Sequence, residues 1–186
     1  MSVFPWAKFR AQKGAVKLHA VLDHDGLIPS FIDLTDGKTH EVNIGRTIKL
    51  PKGSILTMDR GYIEYQWFND LNRQGVFFVT RAKKNMCYRV VSRPQSNRRR
   101  GITSDQTIEL TSQKGKQYTG ALRRVAYKDP DTKKHYYYLT TQMNLDAKTI
   151  ADIYKARWEI ELFFKWIKQN LKIKSFIGTS KNAVLT

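Results

Sequence analysis

Acidic residues are scarce in this 186-residue chain: 16 Asp plus Glu stand against 33 Lys plus Arg, a formal net charge of +17. That imbalance favours polyanionic partners, of which nucleic acid is the commonest. Cysteine is nearly absent, with Cys87 the single instance, so neither an intrachain disulfide nor a cysteine-based zinc site can form. The histidines His19, His24, His40 and His135 show no spacing that zinc uses. Long apolar runs are missing too. The opening "MSVFPWAKFR" lacks the apolar stretch of a signal peptide, and no segment reaches the roughly 18 residues of a membrane helix. These gaps predict a soluble intracellular protein in a reducing compartment. The length suits one domain, or one domain carrying an insertion, and 41% hydrophobic residues suffice for a core.

The alternation in "GAVKLHAVLDHDGLIPSFIDL" on both sides of Asp25-Gly26 predicts two strands joined by a tight turn, with Asp23 and Asp25 as turn residues. A short helix fits residues 40–50. Ser54 to Met58 reads as a buried strand with Asp59 at its C-terminal end and Gly61 easing the turn that follows. "IEYQWFNDLNRQG" has helical spacing and stops at Gly75, and Val76 to Thr80 is a second buried strand. Strand, helix and strand at this spacing predict a parallel pair with a crossover. Residues 86–143 hold short alternating segments, "YRVV", "QTIEL", "LRRVAY" and "HYYYLTT", which predict a small antiparallel β unit with Tyr136, Tyr137 and Tyr138 on a strand. Residues 81–136 contain 15 Lys/Arg and 4 Asp/Glu. A solvated charge run is the plain explanation; a phosphate-tracking surface is the functional one, with Arg98, Arg99 and Arg100 as candidate grips. From about Asn144 to Lys172 the pattern is helical. Trp6, Trp67, Trp158 and Trp166 are expected in the core.

On a helix turning ~100° per residue, Tyr154, Arg157, Glu161 and Lys168 fall within about 60° of one another. Ile153, Ala156, Ile160, Phe163, Phe164, Ile167 and Leu171 form the apolar arc beside them, and Lys155, Glu159 and Asn170 a solvated one. A second polar stripe is either a structural Arg157–Glu161 pair at i, i+4 or one wall of a site. The apolar flanks Trp158 and Leu162 suggest that Glu161 is partly buried, where a carboxylate wants a cation. Asp59, at the end of a buried strand, stands where open α/β sheets bind ligands, although a turn or cap role would also explain it. Asp59 and Glu161 are the hard oxygen ligands that Mg²⁺ uses in phosphoryl transfer. Arg157 and Lys168 suit backbone phosphates, and Tyr154 a base or a phosphate oxygen.

The spacing Y-x2-R-x3-E-x6-K on Tyr154, Arg157, Glu161 and Lys168 resembles the signature of the insertion-sequence DDE transposases, in the bacterial group named "insertion sequence four". "FPWAKFRAQKGAVKLHAVLDHDG", "MDRGY" and "VFFVTRAK" resemble the same group. The resemblance implies an α/β fold: a ribonuclease-H-like mixed sheet with flanking helices, interrupted by a β-rich insertion. Residues 1–85 are then the first part of the catalytic core, 86–143 the basic insertion, and 144–186 the signature helix with a C-terminal stub. It implies two Mg²⁺ (or Mn²⁺) held by three acids, with Asp59 the second and Glu161 the third. It also implies DNA cleavage and strand transfer at transposon ends, by cut-and-paste. The implied partners are double-stranded DNA of the ends and target and a second copy in a synaptic complex; the implied location is the bacterial cytoplasm, at the nucleoid. The family's first Asp lies on a strand upstream of the stretch resembling "FPWAKFR", so that core strand is expected to be missing. The chain reads as truncated at both ends and inactive alone. The other reading is a catalytically dead, basic nucleic-acid-binding remnant.

Overall fold

A computed structural model describes residues 8–9, 13–14, 16–24, 28–36, 38–94 and 100–170. They fall into two units, one formed by residues 1–48 with 158–186 and one by residues 49–157.

In the first unit, β1 (Lys8–Phe9) and β2 (Lys13–Gly14) form a short antiparallel pair. β3 (Val16–Leu22) and β4 (Pro29–Asp36) form the expected antiparallel pair, with Leu18 opposite Leu34 and His19 opposite Asp33. The Asp23 N–H donates to the Ile28 carbonyl at 2.9 Å as the strands close; Asp25 lies outside the described residues. α1 (Glu41–Gly45) follows within the predicted window, and Glu41 pairs with Lys17 at 3.0 Å. α4 (Trp158–Asn170) completes the described part. Trp158, Leu162 and Trp166, spaced one helical turn apart, are 61%, 52% and 57% exposed. The expectation that Trp158 and Trp166 pack the core is therefore not met. Among the described side chains, the apolar positions that α4 half-buries are Ile160, Phe163 and Phe164. Trp6 lies outside the described residues.

The second unit is built on a six-stranded mixed sheet. β5 (Ile55–Met58), α2 (Tyr65–Arg73) and β6 (Phe77–Arg81) form the expected strand–helix–strand crossover, and β5 runs parallel to β6 with Ile55 opposite Phe77. α2 starts at Glu64, whose carboxylate accepts from the Gln66 and Trp67 N–H groups at 2.9 and 2.8 Å. It ends at Gly75, which sits at φ 69°. A left-handed residue closes a helix C-terminus at least cost when it lacks a Cβ. β7 (Tyr88–Ser92), β8 (Ile102–Leu110), β9 (Leu122–Lys128) and β10 (His135–Thr140) are antiparallel neighbours. The sheet order is β5-β6-β10-β9-β8-β7. The strands of 86–143 thus extend the sheet that β5 and β6 begin.

Successive strand residues point to opposite faces, and each face of this sheet has its own helix. On one face Val79, Val125, Tyr127 and Tyr138 pack against Ala147, Ile150, Ala151 and Tyr154 of α3 (Ala147–Ala156). On the other, Phe78 stacks on Phe68 of α2 at 4.0 Å, and Tyr118 meets Phe68 edge-on at 6.3 Å. Trp67 is buried here, as expected. A buried ion pair fixes the entry to α3: Arg123 donates from Nε to Asp105 Oδ1 at 2.9 Å and from Nη2 to Oδ2 at 2.7 Å. Its Nη1 donates to the carbonyls of Gln142, Met143 and Leu145 at 3.3, 3.3 and 2.6 Å. The guanidinium thereby satisfies carbonyls of the turn before α3, whose N-cap is Asp146.

The expected single helix from 144 to 172 is two helices. α3 ends at Ala156 and α4 starts at Trp158, with Arg157 in a tightened turn whose N–H donates to the Tyr154 carbonyl at 3.2 Å. A bond to the third preceding residue tightens the last turn of a helix. Tyr154 and Arg157 therefore belong to the second unit, Glu161 and Lys168 to the first. Among the described residues no helix is long and apolar enough to cross a membrane.

Candidate active site

The parallel pair determines what stands at its C-terminal end. Met58 is in register with Thr80, so Asp59 and Arg81, one residue further along each strand, emerge level with each other. Asp59 is exposed, and its carboxylate accepts from the Arg60 N–H at 2.5 Å as it caps the short 3₁₀ turn Arg60–Tyr62. The turn role and the ligand role are compatible, since one carboxylate has capacity for both. Gly61 contributes no unusual backbone angle: among the described residues the glycines with positive φ are Gly53, Gly75 and Gly101. Its expected role in the turn is not what shapes it.

Arg81 lies 5.0 Å from the Tyr136 ring centroid. Tyr136 stacks on Tyr138 at 6.3 Å, Tyr138 meets Tyr154 at 5.1 Å, and Arg157 lies 5.4 Å from the centre of the Tyr154 ring. A ladder of three tyrosines thus joins two arginines, with Asp59 beside it. Burial pushes the Tyr154 hydroxyl pKa up; the Arg157 guanidinium pulls it down, the Asp59 carboxylate pushes it up, and Arg81 pulls it down. The Arg157 guanidinium lies over this ring, and Asp59 and Arg81 are near enough to act on the phenol electrostatically. Tyr138 is raised as well, mainly by burial. Both phenols therefore stay protonated and can act as hydrogen-bond donors. The ring of Tyr154 is occupied by Tyr138 and Arg157, and its hydroxyl oxygen is buried beneath them.

The structure therefore brings Asp59, Tyr154 and Arg157 together and adds Arg81, which the sequence reading passed over. Its signal was available: Arg81 ends the second parallel strand level with Asp59, which follows the first. Glu161 is exposed on α4 in the other unit, so the expected partial burial between Trp158 and Leu162 is not found. Lys168 lies on α4, with its side chain outside the described part. Arg98 and Arg99 lie outside the described residues. Arg100 is exposed in the turn before β8, at φ 61°.

The donor set at the strand ends is one carboxylate, two guanidiniums and buried phenols. Arginines suit the oxygens of a phosphate and a carboxylate suits a hard cation. Among the described residues no three His, Cys, Asp or Glu side chains gather as a metal cluster. Asp59 fits a divalent cation by chemistry, as a single ligand within this unit, and no catalytic step is derived through a metal.

Comparison with known proteins agrees with this chemistry. The family model "Transposase DDE domain" matches residues 4–186. A "Putative transposase y4zB" of Sinorhizobium fredii is 38% identical over 185 residues, which covers 96% of this chain and 51% of that protein. A "Probable transposase for insertion sequence element IS5377" of Geobacillus stearothermophilus is 28% identical, over 97% of this chain and 48% of that protein. A "Putative transposase for insertion sequence element IS4SA" of Synechocystis is 27% identical, over 91% and 48%. The chain spans about half the length of these relatives.

Proposed function

Since this chain belongs to the transposase DDE domain family, we propose that it supplies the DNA-cleaving and strand-transferring part of an insertion-sequence transposase. In this reading it acts by cut-and-paste, and Tyr154, Arg157, Glu161 and Lys168 are the signature of the insertion sequence four group. Residues 86–143 are the insertion within a ribonuclease-H-like core. The substrates are double-stranded transposon ends and target DNA at the bacterial nucleoid, engaged by two copies of the protein in a synaptic complex.

Asp59 and Glu161 would be the carboxylates that hold Mg²⁺ or Mn²⁺, two ions which, when bound, would supply activation of the attacking oxygen at one and stabilisation of the leaving oxygen at the other. Arg81 and Arg157 take non-bridging oxygens of the phosphate presented at the end of β5. The Tyr154 ring holds Arg157 in place for that contact. Lys168 and the Arg98, Arg99 and Arg100 run hold backbone phosphates further from the reacting one. The observation that carries this reading is the level placement of Asp59 and Arg81 at the ends of parallel strands, with Tyr154 and Arg157 alongside.

A second reading is DNA binding with no chemistry, favoured by the lack of a three-group metal cluster among the described residues. A nicking assay on supercoiled DNA carrying the element's ends, with Mn²⁺ present, separates the two. Nicking that disappears in both Asp59→Asn and Glu161→Gln supports the first reading and overturns the expectation that the chain is inactive alone. Salt-dependent binding without nicking, indifferent to both changes, supports the second. A chain that binds no DNA sinks both.

A further inference from the structure

The face of the six-stranded sheet opposite α3 carries a second cluster. Arg124 and Tyr137 point away from the α3 side, because their neighbours Val125 and Tyr138 point toward it. The Arg124 guanidinium lies 4.4 Å from the Tyr137 ring centroid and 5.0 Å from that of Tyr88. Its Nη1 donates to Gln106 Oε1 at 3.1 Å. Four strands contribute one residue each: Tyr88 from β7, Gln106 from β8, Arg124 from β9 and Tyr137 from β10. Tyr137 is 43% exposed, and Tyr88 and Arg124 are half-buried.

An arginine held between two rings is fixed in orientation, so little further order is lost when it binds an anion. A cross-strand brace would account for the contacts, but a brace gains nothing from leaving Tyr137 so open. The charge around the cluster has one sign. The residues of β7, β8, β9 and β10 that lie on the same face of the sheet as Arg124 include no Asp or Glu; Asp105 points the other way, into its pair with Arg123. The Ala82 N–H donates to the Tyr137 carbonyl at 2.8 Å, and the exposed Lys83 and Lys84 follow directly. Open aromatic rings beside fixed and mobile cations make a stacking platform for unpaired bases joined by phosphates. Duplex DNA offers phosphates but keeps its base faces inside the stack.

We propose that Tyr88, Arg124 and Tyr137 form a docking platform for unpaired DNA, separate from the strand-end site around Asp59. Tyr137 takes the face of a base, and Arg124 binds the adjoining phosphate. The proposal rests on the reading that this chain handles DNA, and it names the form of DNA that this face receives.

Fluorescence anisotropy with a labelled single-stranded oligonucleotide and its duplex, using the full chain, tests it. Tyr137→Leu keeps the apolar bulk and removes the ring. It should weaken single-strand binding about tenfold, the scale of one lost base stack, and change duplex binding by less than about twofold. Tyr88→Leu should act in the same direction. Ultraviolet cross-linking of the unaltered chain to the single strand should label the peptide holding Tyr137 or Tyr88, which keeps the test independent of variant folding. Equal single-strand affinity in all three proteins, or cross-links confined to other peptides, overturns the platform while leaving duplex binding and the transposase reading intact. Failure of the unaltered chain to bind either DNA would overturn both.

Discussion

His19 shows how one side chain ties stability to pH. It is buried on β3, with Nε2 2.9 Å from the Thr35 hydroxyl. Burial lowers its pKa from 6.5; the nearby Asp33 and Glu41 carboxylates oppose that shift and Lys17 adds to it. The folded state thus releases its proton more readily than the unfolded chain does. Between the lowered value and 6.5 the unfolded state binds more protons, so stability falls as pH drops through that window. Urea midpoints of the β3–β4 unit should decline from pH 7.5 to pH 5.5, and His19→Gln should flatten the decline. Arg123 makes the opposite case, of a charge kept by its partners. Arg123→Leu leaves the buried Asp105 carboxylate uncompensated and should cost about 3–5 kcal/mol in urea unfolding. Replacing Asp105 with Leu as well should recover part of that loss, because two apolar groups need no partner.

At the scale of elements, the β5–α2–β6 crossover was legible because its signals are local. A buried apolar run, a helical period and Gly75 as the stop sit next to one another in sequence. The Glu64 cap is equally local, and Glu64→Ala should lower stability by about 1 kcal/mol in thermal or urea melts, since two N–H groups at the start of α2 lose their acceptor. The antiparallel run of 86–143 was legible as strands, but not as a continuation of the β5–β6 sheet, because strand alternation says nothing about which edge a strand joins. The break at Arg157 was hidden for a related reason. It carries neither Gly nor Pro, and the apolar period runs through it, so a single helix satisfied every local rule. The exposure of Trp158 and Trp166 is a tertiary outcome that composition cannot foresee. At the candidate site, Asp59, Tyr154 and Arg157 could be picked by residue type and spacing. Arg81 required the strand register, which places it level with Asp59 only once β5 and β6 are aligned.

At the scale of the whole chain, a charge of +17 makes salt the most informative variable. Each phosphate neutralised on duplex DNA contributes about 0.9 to the slope of log affinity against log salt. Arg81 and Arg157 flank Tyr154 beside Asp59, and if each contacts one phosphate, Arg81→Ala and Arg157→Ala should each reduce that slope by about 1. Arg73 is a useful contrast: it pairs with Asp70 on the surface of α2, and its removal should leave the slope nearly unchanged. Asp59 has the opposite sign from its neighbours. Without divalent cations its carboxylate repels an incoming phosphate, so Asp59→Asn should tighten binding. With Mn²⁺ present the intact carboxylate recruits a cation between itself and the phosphate, so the same substitution should weaken binding. A reversal of sign between the two buffers, followed by anisotropy at matched ionic strength, is expected of a metal-bridging aspartate. An Asp59 that serves only to cap the Arg60–Tyr62 turn would change binding alike in both buffers.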